Sequence, residues 1–147
     1  MAVENGSYAI QPSDGEVLPF IGRLKVSAAQ SGGSFELFEY EGPAVPPVHV
    51  HRDREEVFFI LEGHFTFTVG DETIEADPGT AVLVPRGTPH GFRPDPGAKA
   101  LFVVAPAGLG GFFRDLGAAL AAGRSSDEIR AELAGRYDSH PSGGPGA

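Results

Sequence analysis

The feature that most restricts the fold of this chain is a regular succession of short strand patterns separated by turns. Successive patterns start roughly 8–12 residues apart, a spacing typical of β-sandwiches and barrels. Glycine (21 residues) and proline (13 residues) are abundant, which suits short strands joined by turns. Because no helical pattern separates the strands, we predict an all-β fold with antiparallel sheets, and a double-sheet jelly roll is among the expected outcomes. The predicted strands are residues 20–28, 35–41, 48–52, 56–61, 64–69, 73–76, 81–84, 90–93 and 98–105.

The pattern changes after Pro106, where apolar residues begin to recur at helical spacing. This predicts one short helix between the glycines at 110–111 and 123, and a second that starts at Ser125. Ser125 and Glu128 have the spacing of a capping box. Two interpretations remain open: the helices pack against the barrel, or they form a lid over its mouth. The apolar stripes are Phe112, Leu116 and Leu120 in the first helix and Ile129, Leu133 and Tyr137 in the second.

Length and composition indicate a single globular domain. A chain of 147 residues can bury a substantial core. The predicted organisation is an N-terminal arm (1–19), a β-barrel (20–106), a C-terminal helical segment (107–137) and a flexible tail (138–147). Residues 1–15 lack the basic and apolar regions of a signal peptide, and no apolar run is long enough to span a bilayer, so we expect a cytoplasmic protein without a membrane partner. A formal net charge of −9 argues against nucleic acid as a partner.

Residues 42–63 (GPAVPPVHVHRDREEVFFILEG) carry the side chains of a metal site. His49 and His51 are one residue apart, so in an extended strand they share a face with Cβ atoms about 7 Å apart. Glu56 follows a polar turn, at the start of a strand that can fold back on the first. The chain has no cysteine, so nitrogen and oxygen ligands must hold any metal, which suits iron, manganese, nickel, cobalt or zinc. An isolated H-x-H is equally consistent with two solvated histidines on an edge strand.

A second segment offers a further candidate ligand. Residues 79–93 (GTAVLVPRGTPHGFR) offer His90 after a turn formed by Pro85 and Gly87. Three of the five histidines therefore lie in two strand–turn–strand contexts of similar composition, which favours one shared site. His64 is a rival ligand by residue type, but it shares its strand face with threonines.

Together these segments resemble the two motifs of the cupin superfamily. The first motif is a glycine, H-x-H, three or four residues, a glutamate, six residues and a glycine. Here Gly42, His49, His51, Glu56 and Gly63 fit it, with the first spacer one residue longer than usual. The second motif is matched by a glycine, a P-x-G turn and a histidine, although proline stands where the family has asparagine; these residues are Gly79, Pro85, Gly87, His90 and Pro94.

The resemblance implies a double-stranded β-helix, also called a jelly-roll or cupin barrel, with one divalent transition metal. The implied ligands are His49, His51, Glu56 and His90. Glu55 fits the shorter form of the first motif but would leave seven residues before Gly63, so Glu56 is preferred. Glu56 is also the candidate catalytic residue, because a carboxylate that leaves the metal can accept a substrate proton.

Strand alternation identifies candidate pocket residues. Glu56, Phe58 and Ile60 share one strand face, and His90 shares another with Phe92. We therefore expect Phe58, Ile60 and Phe92 to line a substrate pocket, and the many aromatic residues suit a flat apolar substrate.

Within the superfamily the chain is most similar to small quercetin 2,3-dioxygenase-like cupins. The similarity lies in PPVHVHRDREEVFFILEG, VPRGTPHGF and VVAPAGLGGFF. It implies a metal-dependent dioxygenase whose partners are dioxygen and a flavonol-like or other enolisable aromatic small molecule, and it also implies a homodimer. Two alternatives remain open, because the same ligands serve many reactions: a non-oxidative isomerase or cyclase of secondary metabolism, and a small-molecule-binding barrel without catalysis.

Overall fold

The computed structural model describes residues 8–142, which form two antiparallel β-sheets and a C-terminal pair of helices. The predicted all-β fold with short C-terminal helices is confirmed. The elements are β1 (Glu16–Leu18), β2 (Gly22–Val26), α1 (Ala28–Ser31), β3 (Glu36–Tyr40), β4 (His49–Val50), β5 (Glu55–Glu62), β6 (Phe65–Val69), β7 (Glu72–Ala76), β8 (Ala81–Val84), β9 (His90–Pro94), β10 (Lys99–Ala105), α2 (Gly110–Ala121), α3 (Ser126–Ala134) and β11 (His140–Pro141).

The two sheets face each other across an aromatic core. One has the strand order β1-β2-β3-β10-β5-β8 and the other β11-β4-β9-β6-β7. Alternation along β5 directs Glu56, Phe58 and Ile60 inward and leaves Phe59 and Leu61 exposed. The inner faces of both sheets contribute phenylalanine pairs, such as the tilted pair of Phe58 and Phe67, whose ring centroids lie 5.0 Å apart across the sandwich. Burial of large rings is the main favourable contribution in such a core.

The turn between β5 and β6 requires the glycine of the first motif. Gly63 has φ +75, a left-handed conformation that residues with a Cβ seldom adopt. A Cβ at this position would lie 2.9 Å from the Cα of Ala98. Both backbone conformation and close packing therefore restrict position 63 to glycine.

The helices close one end of the sandwich. Helix α2 buries Phe112 and Leu116 and contacts β1, and α3 buries Ile129 and Leu133. The predicted capping box does not form, although α3 does begin directly after Ser125. The Ser125 side chain makes no capping hydrogen bond.

The two ends of the described chain differ from expectation. Strand β1 lies inside the predicted arm and pairs with β2. The predicted flexible tail is held at its beginning, since β11 pairs with β4 and the amide of Ser142 donates to the carbonyl of Val48. Sequence composition suggested flexibility because proline, glycine and serine give no strand pattern, whereas the pairing with β4 uses backbone groups that such a pattern does not reveal. The rest of the tail, residues 143–147, and residues 1–7 of the arm lie outside the described residues.

Two surface properties bear on the predicted partners. Within residues 8–142 no helix is long and apolar enough to cross a membrane. The outer face of the six-stranded sheet exposes Phe59, Leu61 and Leu83. The homodimer stays a prediction for this single chain.

A buried carboxylate joins the barrel to α2. Glu36, on β3, is 2 % exposed and accepts hydrogen bonds from the backbone N–H groups of Gly108, Leu109 and Gly110 at 2.7–2.9 Å. The first N–H groups of a helix lack partners within the helix, and an anion there is favoured by the helix dipole. Glu36 therefore caps α2 from a distant strand, since Leu109 at the N-cap position provides no side-chain acceptor.

We expect Glu36→Ala to lower the free energy of unfolding by roughly 2–4 kcal/mol, because three backbone donors, two of them buried, lose a charged acceptor. Urea denaturation followed by circular dichroism measures this change. The control is Glu41→Ala, which removes an exposed carboxylate 3.6 Å from Lys99 and should change stability by less than about 1 kcal/mol. Equal effects of the two substitutions would show that the cap does not stabilise the fold.

Candidate metal centre

The four predicted ligands converge between the two sheets. His49 lies on β4 and opposite it His90 lies on β9, so these two belong to the five-stranded sheet; His51 directly follows β4. Glu56 reaches them from β5 of the other sheet. One nitrogen or carboxylate oxygen from each side chain lies within 4.8 Å of all the others. The cluster thus bridges the sandwich.

Backbone carbonyls orient all three imidazoles. Nδ1 lies 2.8 Å from the carbonyl oxygen of Pro47 in His49, 2.6 Å from that of Asp138 in His51, and 2.9 Å from that of Thr88 in His90. A carbonyl oxygen only accepts hydrogen bonds, so each Nδ1 must carry the proton. In the neutral rings each Nε2 therefore keeps a lone pair available to a metal. This hydrogen-bonding pattern is typical of metal-ligating histidines.

The cluster contains a buried nitrogen without a suitable partner. His51 Nε2 lies 2.5 Å from Glu56 Oε1, but the contact lacks hydrogen-bond geometry, and this atom has no hydrogen-bond partner among the described residues. Glu56 Oε1 is also 3.1 Å from His90 Nε2. Neutral Nε2 atoms and a carboxylate are all acceptors, so their convergence is unfavourable unless a cation lies among them. The residues present fit a divalent metal ion of the kind bound by imidazole and carboxylate.

The charges of the cluster support the same conclusion. Burial alone would raise the pKa of Glu56, but contact with His51 and His90 outweighs burial and lowers that pKa well below its usual range. Burial alone would lower the pKa of His51, but the carboxylate of Glu56 raises it. Burial, reinforced by the two neighbouring imidazoles, lowers the pKa of His49 to about 3. The cluster thus holds a carboxylate that attracts positive charge.

The structure distinguishes between the two neighbouring glutamates. Glu56 is buried in the cluster, whereas Glu55 points to the opposite face of β5, where its carboxylate accepts a hydrogen bond from Arg86 at 2.5 Å. The other histidines lie elsewhere. His64 is half-buried between Asp77 and Glu75, which raise its pKa to about 9. His140 contacts Asp138.

An apolar cavity of about 30 Å³ adjoins the cluster. His49, Glu56, Phe58 and Phe92 line it, which places two of the three predicted pocket residues there. Ile60 does not line the cavity: it lies further along β5 and is packed in the core. A buried water needs roughly 10–15 Å³, so the cavity holds about two waters, and an aromatic substrate needs side chains at its mouth to move.

The sequence interpretation missed nine cavity residues, four of which lie in the C-terminal helices. The apolar stripes of those helices predicted burial but not which part of the barrel they cover. No sequence signal separated Arg130 from the other ten basic residues. The further lining residues are Ile21, Tyr40, Ala44, Pro46, Phe102, Phe112, Phe113, Leu116 and Arg130.

Asp138 connects the C-terminal segment to the cluster. Its carbonyl accepts the Nδ1 proton of His51, and its carboxylate accepts the backbone N–H groups of Arg52 and Asp53 at 2.9 and 2.8 Å. The carboxylate also pairs with Arg54 at 3.1 Å. A single residue beyond the end of α3, Asp138, therefore fixes both the orientation of His51 and the turn that follows His51. Composition alone had assigned this residue to a flexible tail.

Comparison with known proteins identifies the family. The family model for the cupin domain matches residues 36–105, which include all four residues of the cluster. A polyketide cyclase, RemF from Streptomyces resistomycificus, is 30% identical over 67% of this chain and 78% of that one, with a TM-score of 0.52. The protein belongs to the cupin superfamily.

Two further relatives show how varied its members are. Quercetin 2,3-dioxygenase of Bacillus subtilis (strain 168) is 32% identical over 116 residues, which are 75% of this chain and 34% of that protein. The present chain thus spans about one third of the curated relative it matches. The nucleoside dehydratase Pac13 is 17% identical over 60% of this chain and 72% of its own, with a TM-score of 0.50, and shares the fold.

We expect Asp138→Ala to weaken zinc binding about 10–100-fold, the usual cost of losing support behind a metal ligand. The substitution frees the turn at residues 52–53 and the carbonyl that orients His51. Competition with a chromophoric zinc chelator measures the affinity. Asp53→Ala is the matched control, because it removes an exposed carboxylate from the same turn. Equal zinc affinity in Asp138→Ala and the unsubstituted protein would contradict the positioning role.

Proposed function

We propose that the protein is a metal-dependent cupin enzyme, and specifically a dioxygenase acting on a flavonol-like or other enolisable aromatic small molecule. The observation that carries the proposal is the convergence of three Nε2 lone pairs and one carboxylate, with His51 Nε2 lacking a hydrogen-bond partner within residues 8–142. His49, His51, Glu56 and His90 would hold one divalent ion of iron, nickel, cobalt, manganese or zinc. Four protein ligands leave positions open when the ion is five- or six-coordinate, as in catalytic sites.

The bound ion would supply either a site for dioxygen next to an enolate, if it is redox-active, or Lewis acidity, if it is not. The chain's own residues set the conditions for either reaction. Phe58 and Phe92 provide flat apolar walls next to the cluster and exclude water. The described contacts of Glu56 with the histidines run through Oε1, so its second oxygen can accept the proton of an enol or phenol hydroxyl.

The quercetin 2,3-dioxygenase relative supports the oxidative form of the proposal. Its identity of 32% extends over three quarters of this chain, although the matched part is only 34% of the relative. The aromatic lining of the cavity is consistent with a planar substrate.

A second candidate is a non-oxidative cyclase. It is favoured by the RemF polyketide cyclase, whose similarity extends over 78% of its own length. Its substrate would be a polyketide-like metabolite, and the two candidates differ in whether dioxygen is consumed.

The ligand assignment predicts that His49→Ala and Glu56→Ala each lose most bound metal while the barrel stays folded. Elemental analysis of the purified variants gives the metal-to-protein ratio, and circular dichroism reports folding. His64→Ala serves as the control, since His64 lies outside the cluster and should retain the full ratio. Unchanged ratios in both cluster variants would exclude this set of ligands.

The reaction class is tested by measuring dioxygen uptake of the metal-loaded protein with a panel of flavonols and catechols. We expect substrate-dependent uptake with close to one metal ion per chain. Cyclisation of a polyketide-like substrate without uptake would favour the second candidate. A protein that binds no metal even after reconstitution would be a binding barrel, and the proposal would be wrong.

A further inference from the structure

Helix α3 places a buried arginine against the candidate metal centre. Arg130 is 7 % exposed and lines the same cavity as His49 and Glu56. Its Nε donates to Ser126 Oγ at 3.1 Å, and its guanidinium carbon lies 6.0 Å from the centre of the Phe112 ring. No carboxylate lies within ion-pair distance of it among the described residues. Within residues 8–142 the terminal nitrogens of the guanidinium make no hydrogen bond, and they retain some contact with solvent.

A buried guanidinium without a counter-ion is unfavourable. Burial lowers the pKa of Arg130, but arginine does not lose its proton in proteins, so the charge remains. Taking it out of water costs several kcal/mol in typical proteins unless it is paired and hydrogen-bonded. Asp127, one turn earlier on α3, is exposed; its charge acts on Arg130, but the two side chains form no ion pair. The ring of Phe112 and one serine hydroxyl compensate only in part.

The cavity also lacks a second acidic group. Among residues 8–142, Glu56 is the only carboxylate that lines it, and Glu56 already contacts His51 and His90. A divalent ion at the cluster would exceed the charge of Glu56, and Arg130 would add to the excess. The closed cavity would therefore carry net positive charge, although the chain as a whole is formally −9.

We infer that Arg130 is a specificity-determining residue that binds an anionic group of the substrate, such as a carboxylate or an ionised enol or phenol. The guanidinium presents a planar pair of donors, which suits bidentate binding of two oxygens. The substrate class is thereby narrowed to small anionic aromatic compounds that place one oxygen group at Arg130 and the reacting group at the cluster. This inference rests on the proposed function, because it concerns the substrate of the same cavity.

The test compares the binding of anions with that of their neutral isosteres. Formate and formamide are small enough to enter the cavity as it is in the structure. Benzoate and benzamide can enter only if its mouth widens. Isothermal titration calorimetry at fixed ionic strength gives the dissociation constants for the zinc-loaded and the metal-free protein. The metal-free protein separates the contribution of Arg130 from direct binding to the ion.

The variants are chosen to keep the packing of α3. Arg130→Met retains an unbranched side chain over Phe112 but removes the charge and the donors. Arg130→Lys retains the charge without the planar pair of donors. Arg130→Gln replaces Arg130→Met if the latter does not fold. Arg124→Met is the control, because it removes an exposed arginine that pairs with Glu132 at 2.7 Å, away from the cavity.

In the metal-free protein, where no ion can bind the anion, we expect the unsubstituted chain to bind at least one anion about ten-fold or more tightly than its amide. In the same metal-free form, Arg130→Met should lose that preference, Arg130→Lys should keep part of it, and Arg124→Met should keep all of it. A preference that survives in folded, metal-free Arg130→Met or Arg130→Gln, or one that is absent from the metal-free unsubstituted protein, would overturn the inference. These measurements report binding and do not depend on turnover. A failure to consume dioxygen or to cyclise a substrate would therefore contradict the proposed function without contradicting the role of Arg130.

Discussion

The candidate site depends on three hydrogen bonds that lie outside the cluster of four side chains. Each runs from an imidazole Nδ1 to a backbone carbonyl, at Pro47, Thr88 and Asp138. An imidazole free to rotate or to change tautomer would present Nε2 or Nδ1 to the interior with similar ease. With Nδ1 fixed as the donor, the three Nε2 lone pairs are directed at one point before any metal binds. Affinity then requires little reorganisation, since the ordering is provided by folding.

The same arrangement explains why the cluster spans two sheets. His49 and His90 are register partners on β4 and β9, so backbone pairing sets their separation. Glu56 belongs to the opposite sheet, and its approach depends on how closely the two aromatic faces pack. A carboxylate brought up to three imidazoles by core packing cannot withdraw to water. The hydrophobic core thus holds together groups that would otherwise be better solvated apart, and a cation relieves the resulting conflict.

The sequence predicted the parts of this structure that depend on local spacing. The spacing of the first motif selected Glu56 over Glu55 as the ligand, and strand alternation predicted Phe58 and Phe92 as pocket residues, which line the cavity. Ile60 shows the limit of that reasoning, because two residues on one strand face can differ in depth. The role of Asp138 was not predictable, since its contact with His51 joins residues 87 positions apart in a segment without strand or helix pattern. Arg130 was missed for a similar reason. The pattern of α3 identified the buried stripe, but only the docked helix shows which residue at its edge meets the cavity.

The C-terminal segment covers the cavity and supports the site at the same time, which restricts how a substrate can enter. Residues 138–142 carry the carbonyl that orients His51 and pair with β4. Displacing them would release a ligand, so an opening that preserves the cluster has to occur elsewhere. Helix α2 contributes Phe112, Phe113 and Leu116 to the lining without contacting the four clustered residues through any hydrogen bond. Its start is held by Glu36, whereas its apolar side chains have no directional bonds that would prevent them from moving. Movement of these side chains would widen the cavity without breaking a hydrogen bond of the four clustered residues.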